Sequence, residues 1–263
     1  MVRSASAGVG LTGRGPVAIL PRLLPAPMRL VLPLLGLVLV AGCAASPPSP
    51  PPDTVLADLE ARLVAAPHVS FTVTTVGEGE TVGAEAYRRG HRLEATFAFG
   101  PDGRLAVAST GEVNEIGASP GLISDGTTMR GGRGGAEAEW PDVEGAPVPA
   151  DLRSTVVAQL LHRGATNVLM TLVQGAPLGL TEDPELGEPL DLRPATGFAW
   201  GPAEAVDGRR ARPLRFRAPT GEVVMWLDAE TGLPVRRTEV QAGPAGTLRI
   251  TEAYADWSFD PAG

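Results

Sequence analysis

The sequence predicts an α+β protein: a large curled antiparallel β-sheet of about eleven strands with a few helices packed on its concave face. Three observations predict it. Apolar residues recur at helical spacing after residue 53, alternate from residue 69, return to helical spacing after 151, and alternate again to the end. The links between alternating segments are hairpin-length and marked by pairs such as Asp125-Gly126, Asp207-Gly208 and Thr231-Gly232. A sheet of so many strands coils rather than lying flat, and helices gathered on one side then enclose a concave apolar lining.

Taken in order, the chain opens with a leader. Leu30 to Val40 is apolar and uncharged, follows Arg29, and ends in Val40-Ala41-Gly42-Cys43. About eleven apolar residues are too few to cross a hydrocarbon core, which takes ~20 in helix. They have the proportions of a signal-peptide core behind a basic amino-terminal region. Small residues before the single cysteine resemble the bacterial lipoprotein signal, in which the cysteine becomes the first mature residue and is acylated. Residues 1–42 are therefore expected to be removed and Cys43 to carry the lipid. Met28-Arg29 offers a second start, which would place residues 1–27 outside the protein. One acyl chain holds a protein marginally and two or more hold it stably. The mature chain is thus expected at the extracytoplasmic face of the envelope, in the outer leaflet of the cell membrane or, where there is one, the outer membrane.

Four of the 22 basic residues and none of the 30 acidic ones precede Cys43, which leaves 221 residues with 18 bases and a formal net charge of −12. That length suits one domain with a sizeable core. The acidic balance argues against a nucleic-acid partner, whose phosphates call for a basic surface. With Cys43 acylated, no cysteine remains for a disulfide.

Residues 43–52 form the lipidated cysteine and a Pro-rich spacer, a semi-rigid arm. The domain then spans 53–263. Asp53 is placed to cap a helix whose apolar stripe is Val55, Leu56, Leu59 and Leu63, closed by Pro67. Strands are predicted at 69–76, 82–89, 92–99, 104–109, 122–124 and 127–130. Residues 131–149 read as a long Gly-, Pro- and acid-rich loop. Two helices follow, one over Leu152 to Leu161 with Gly164 as its stop and one over Val168 to Val173 ended by Gly175. Pro177 to Pro194 reads as an acidic loop. Strands return at 197–200, 211–217, 222–228, 235–241 and 247–259.

Several of these pieces carry a family resemblance: the helix from Asp53, the strand Val69–Val76, Leu122-Ile123-Ser124-Asp125-Gly126-Thr127-Thr128-Met129, Val206-Asp207-Gly208, and Met225-Trp226-Leu227-Asp228 through Thr231-Gly232-Leu233-Pro234-Val235-Arg236, with a last strand ending near Tyr254-Ala255-Asp256-Trp257. Together they resemble the LolA/LolB-like lipoprotein-carrier superfamily, including its lipidated LprG/LppX-type lipid-binding members. The resemblance spans most of residues 53–260. It implies a half-barrel of about eleven strands closed by helices, acyl chains bound in its hollow, and no catalytic chemistry or cofactor.

The motifs that suggest chemistry lack the context that chemistry needs. Gly117-Ala118-Ser119-Pro120-Gly121 fits the G-x-S-x-G pattern, but a nucleophile elbow needs a helix after the Ser and an N–H on the next residue, and Pro120 has none. His68, His91 and His162 are far apart and lack metal-ligand spacing, so no metal site is predicted. Gly131-Gly132-Arg133-Gly134-Gly135 lacks the Lys-Ser/Thr of a phosphate loop and reads as a flexible loop. The acids at 182, 183, 185, 188 and 191 do not match a calcium loop.

Two groups remain. The inward parity of the strands gathers Phe71, Val73, Leu93, Phe97, Phe99, Leu105, Val107, Leu214, Phe216, Met225 and Leu227, either as plain core or as the lining of a ligand pocket. Arg209, Arg210, Arg212, Arg215 and Arg217 are the one local excess of positive charge; they are either a wet strand face or, for Arg212, Arg215 and Arg217, a rim that grips an anionic head group. The expected function is binding of a lipid or acyl chain for transport or sensing in the envelope. The alternative is an interaction or regulatory lipoprotein with a filled core and an envelope protein as partner, and a lipid-anchored enzyme is the weakest reading.

Overall fold

The computed structural model describes residues 50–79, 81–82, 87–88, 90–132, 146–148, 150–174, 195–243 and 246–260. Cys43, most of the spacer, Gly175, the acids of 182–191 and Arg133-Gly134-Gly135 lie outside the described residues.

Helix α1 (Val55–Ala65) buries Val55, Leu56, Leu59 and Leu63 and leaves Asp58 and Arg62 on its other side, as the spacing predicts. Its start differs. Thr54 occupies the N-cap position, with no side-chain cap. The Thr54 hydroxyl and N–H both turn back to the Pro51 carbonyl, at 3.1 and 3.2 Å. A tight turn out of Pro51-Pro52 takes the place of the cap expected from Asp53. Ala66 is already extended ahead of Pro67, the conformation that a following proline favours.

The strands in chain order are β1 (Val69–Gly79), β2 (Thr81–Val82), β3 (Tyr87–Arg88), β4 (His91–Phe99), β5 (Arg104–Val113), β6 (Ile116–Ala118), β7 (Gly121–Asp125), β8 (Thr128–Gly132) and β9 (Ala146–Pro147). Helices α2 (Leu152–Arg163) and α3 (Ala165–Gln174) follow. The chain ends in β10 (Thr196–Trp200), β11 (Glu204–Val206), β12 (Arg209–Ala218), β13 (Gly221–Asp228), β14 (Pro234–Gly243) and β15 (Gly246–Ser258).

Eleven strands form one continuous antiparallel path, β10-β12-β13-β14-β15-β1-β4-β5-β7-β8-β9, with β11 added on β12 and β6 on β5. The sheet is open, since β10 and β9 stand at opposite ends of it. Neighbours on either side of its centre are joined as successive antiparallel strands, and the centre is the pairing of β1 with β15. The domain is therefore sealed by its first and last strands, a contact that local sequence cannot announce.

Two glycines of the expected loop at 131–149 belong to the sheet. Gly131 pairs with Leu122, and a side chain at Gly131 would fall 2.2 Å from the Gly121 carbonyl, so the backbones meet there only because the residue is glycine. Ser119 is followed by strand β7, not by a helix.

The buried faces of α1, α2 and α3 and the inward residues of the sheet make one hydrophobic cluster. Helix α2 contributes Leu152, Val156, Val157, Leu160 and Leu161, and α3 contributes Ala165, Val168, Leu169, Met170 and Leu172. Arg153 clasps this layer from the side. Its guanidinium donates to the carbonyls of Leu63 (2.7 Å), Ala66 (2.5 Å) and Gly100 (3.2 Å), tying α2 to the end of α1 and to the turn after β4.

Candidate functional site

Antiparallel pairing sets residues of one parity directly opposite each other, and this builds rows across the sheet. One row runs Val69, Phe99, Leu105, Ser124, Met129 and the next Phe71, Phe97, Val107, Leu122. On the other half, Leu214 faces Met225 and Phe216 faces Val223. All eleven apolar residues singled out from the sequence share this inward side, and none is more than 4% exposed. The Phe71 ring stacks on Phe97 at 5.2 Å and on Trp257 at 4.2 Å. Their neighbours across the layer are the helix side chains, so the hollow between sheet and helices is occupied by the chain itself.

The arginines do not converge on that layer. Arg215 and Arg217 project from the opposite side of β12, where Arg217 makes an exposed pair with Glu222 at 2.5 Å. Arg212 lies over the Trp200 ring at 4.6 Å and donates to the Gly201 carbonyl.

The middle row holds what sequence reading missed. It runs Leu214, Met225, Arg237, Glu252, Thr75, Leu93, with a guanidinium and a carboxylate facing each other at the centre of an apolar sheet. Arg237, Glu239 and Glu252 are each 0% exposed. Arg237 bonds Glu239 at 2.6 Å and stands 3.9 Å from Glu252. Glu252 also accepts from the Tyr254 hydroxyl (2.6 Å) and from the Thr166 N–H (2.8 Å), while Gln241 donates to Glu239 (2.8 Å). Thr75 meets both His91, at 2.8 Å, and the Thr166 hydroxyl. Burial works against the charge on Arg237, but Glu252 and Glu239 outweigh it and hold its pKa above the ordinary value. Burial, with the Glu252 carboxylate, pushes Tyr254 well above the ordinary phenol range, so it keeps its proton as donor.

The α2–α3 junction sits on this cluster. Gly164 has φ +88°, and a side chain there would fall 2.5 Å from both the Arg237 guanidinium and Glu252. It is thus the helix stop that the sequence predicts and also the point of closest approach to the ion pair. Gly164→Ala is expected to destabilise the fold by several kcal/mol through lost ion-pair geometry. Gly197→Ala, at φ +69° with open space around it, should cost only the left-handed backbone penalty of about 1 kcal/mol. Urea midpoints of the two variants compare them.

His162 of α2 lies 3.6 Å from Glu60 of α1. Burial depresses its pKa below 6.5, Glu60 partly opposes this, and Arg237 adds to it. The folded state therefore favours neutral imidazole, and the unfolded state takes up the proton first as pH falls. Stability from this site is present above pH 6.5 and is lost as pH drops through the folded pKa. His162→Gln should flatten that loss in urea titrations between neutral and mildly acid pH.

One signal for the cluster was present in the sequence. Glu252 stands at the inward parity of Leu248, Ile250 and Tyr254, where an unpaired carboxylate would not be tolerated. Its partner Arg237 lies in a stretch polar on both faces, so no alternation pointed to it.

Among the described residues no group of three His, Cys, Asp or Glu could hold a metal ion, and no helix is long and apolar enough to cross a membrane. The class defined by these features is an open antiparallel sheet with its helices on one face and a charged pair beneath them. No family model and no curated protein matches the sequence. Among solved structures, the chain is similar to the Mycobacterium tuberculosis lipoprotein LppX, at 11% identity and TM-score 0.38, over 78% of this chain and 94% of that one. It is similar to a chain of the Pseudomonas aeruginosa MucA/MucB complex at 15% identity and TM-score 0.38, over 77% of this chain and 56% of that one. A LolA superfamily protein from Nitrosomonas europaea matches at 10% identity and TM-score 0.28, over 79% and 92%.

Proposed function

We propose that the chain is an extracytoplasmic lipoprotein, tethered through acylated Cys43, that takes a lipid or acyl chain between its sheet and its helix layer for transport or sensing in the envelope. The observation that supports this is the layer itself. Sheet and helices meet across an apolar surface spanning both halves of the sheet, with polar contacts at a few points such as Arg153 and the Glu252–Thr166 bond. A guest that parts the two layers keeps both dry. Each methylene it buries contributes about 0.8 kcal/mol, and no acid, base or nucleophile is required. The closed arrangement is then the empty state, and loading requires α2 and α3 to lift from the sheet.

A Thr75→Cys/Thr166→Cys pair tests this, because the two hydroxyls already touch and acylation consumes the single native cysteine. Oxidised, the pair locks α3 to β1; reduced, it does not. Lipid uptake followed by native mass spectrometry should disappear on oxidation and return on reduction. Uptake by the locked form would overturn the proposed route. Labelling with radioactive palmitate tests the tether separately, with Cys43→Ala expected to lose the label.

The burial of all eleven pocket candidates favours a second reading, a filled core serving an envelope protein partner through its outer surface. Under it, neither redox form takes up lipid.

A further inference from the structure

The free edge of the sheet at β10, backed by β12, offers a surface that the lipid-binding reading does not use. Trp200 of β10 donates its indole N–H to the Pro50 carbonyl at 3.0 Å, which pins the end of the spacer to this edge. Arg212 of β12 covers the other face of the contact by lying over the same ring. Seven Cα–Cα steps lead from Cys43 to Pro50. Fully extended they reach at most about 25 Å. The opposite end of the sheet lies ten strand spacings away, at most roughly 48 Å at about 4.8 Å each. The tether therefore holds one particular edge near the bilayer.

That edge also has the fitting charge. Strand β12 reads Arg-Arg-Ala-Arg-Pro-Leu-Arg-Phe-Arg-Ala, five arginines and no acid, in a chain that is otherwise acidic. Arg209, Arg210, Arg215 and Arg217 are exposed. Arg217 is paired with Glu222, Asp228 lies near Arg209, and Arg210 stands across from β11, so Arg215 offers the freest charge beside β10. Ala199 stands exposed opposite Arg215, so no bulky side chain on β10 keeps a flat surface away from that guanidinium.

We propose that the β10–β12 edge is a bilayer-facing surface that rests on anionic phospholipid head groups and sets the orientation of the domain above the membrane. This rests on acylation of Cys43, and the guanidiniums act on lipid phosphates. Each basic residue close to an anionic surface is worth about fivefold in partition, and the attraction fades within a Debye length.

The test uses the full lipidated chain in vesicles of phosphatidylglycerol and phosphatidylcholine. Single thiols at Ala199→Cys and, near the far edge, Thr128→Cys carry a fluorophore, read by a quencher attached to lipid head groups. Both positions are exposed, so labelling leaves the fold intact. Quenching should be several-fold stronger at 199 than at 128. The difference should fall below twofold with Arg209→Gln/Arg210→Gln/Arg215→Gln, in pure phosphatidylcholine, or in about 1 M salt, where the Debye length is about 3 Å. Equal quenching at the two positions in the unmodified edge, or a preference that survives the triple substitution, overturns the proposal. Protein that does not float with the vesicles at all removes the tether, and with it the proposal, whatever the labels report.

Discussion

Arg237→Met should lower the free energy of unfolding by about 3–5 kcal/mol, a large fraction of the stability of a domain this size. The reason is what stays behind. Glu239 and Glu252 remain fully buried, and Glu239 loses the guanidinium it bonds at 2.6 Å. Thr166 still donates to Glu252, but one amide and one phenol hydroxyl do not replace a charge. The triple variant Arg237→Met/Glu239→Leu/Glu252→Met should recover most of the loss or exceed the parent, because a well-packed apolar replacement removes the desolvation cost of all three groups. Urea unfolding of the single and triple variants checks both statements. A single variant within 1 kcal/mol of the parent would mean that the cluster is less isolated from water than its burial indicates. The recovered triple variant also separates stability from function. If the pair latches the α2–α3 junction against loading, the triple variant takes up lipid at a different rate although its stability is restored.

Phe97→Ala should cost about 3–5 kcal/mol. Phe97 is fully buried, stacks face to face on Phe71 and stands opposite Val107. Truncating a ring in a packed layer loses its transfer free energy and leaves a cavity that neighbours on a rigid sheet cannot close. Truncating a ring that lines a roomy chamber costs less, because one side of it had no packing partners to lose. The same variant therefore reports on occupancy of the layer. The closed layer is packed under either reading, so the lipid separates them: no gain in bound lipid supports the filled core, and more lipid retained supports a layer that opens. Calorimetry of the delipidated variant and a native mass spectrum of the same preparation before delipidation give both numbers.

Most of the fold was legible in the chain because its elements are short and punctuated. Asp125-Gly126, Asp207-Gly208 and Thr231-Gly232 each fall at a turn between strands, and period-two alternation at Val69–Val73 and Leu93–Phe99 gave the correct inward parity. The eleven apolar candidates were gathered on one face for the same reason. The Arg-rich stretch is divided by the strand's alternation. Arg212, Arg215 and Arg217 look like one cluster along the sequence, yet alternation sends Arg215 and Arg217 to one side of β12 and Arg212 to the other. The Gly131-Gly132 pair looked like loop because glycine is the common mark of both a flexible link and a close backbone approach.

What the sequence by itself determined is periodicity: which residues alternate and where the chain turns. These are local properties, set by a residue and its near neighbours. Only the tertiary structure decided which strands are partners, and so brought Arg237 of β14, Glu252 of β15, Thr75 of β1 and the α2–α3 junction to one buried point. Those residues are separated by up to 177 positions in the chain, and the pairing of their strands turns charges that read as solvated into a fully buried ion pair. The same holds for Pro50 and Trp200, 150 residues apart, whose hydrogen bond joins the start of the described chain to the β10 edge.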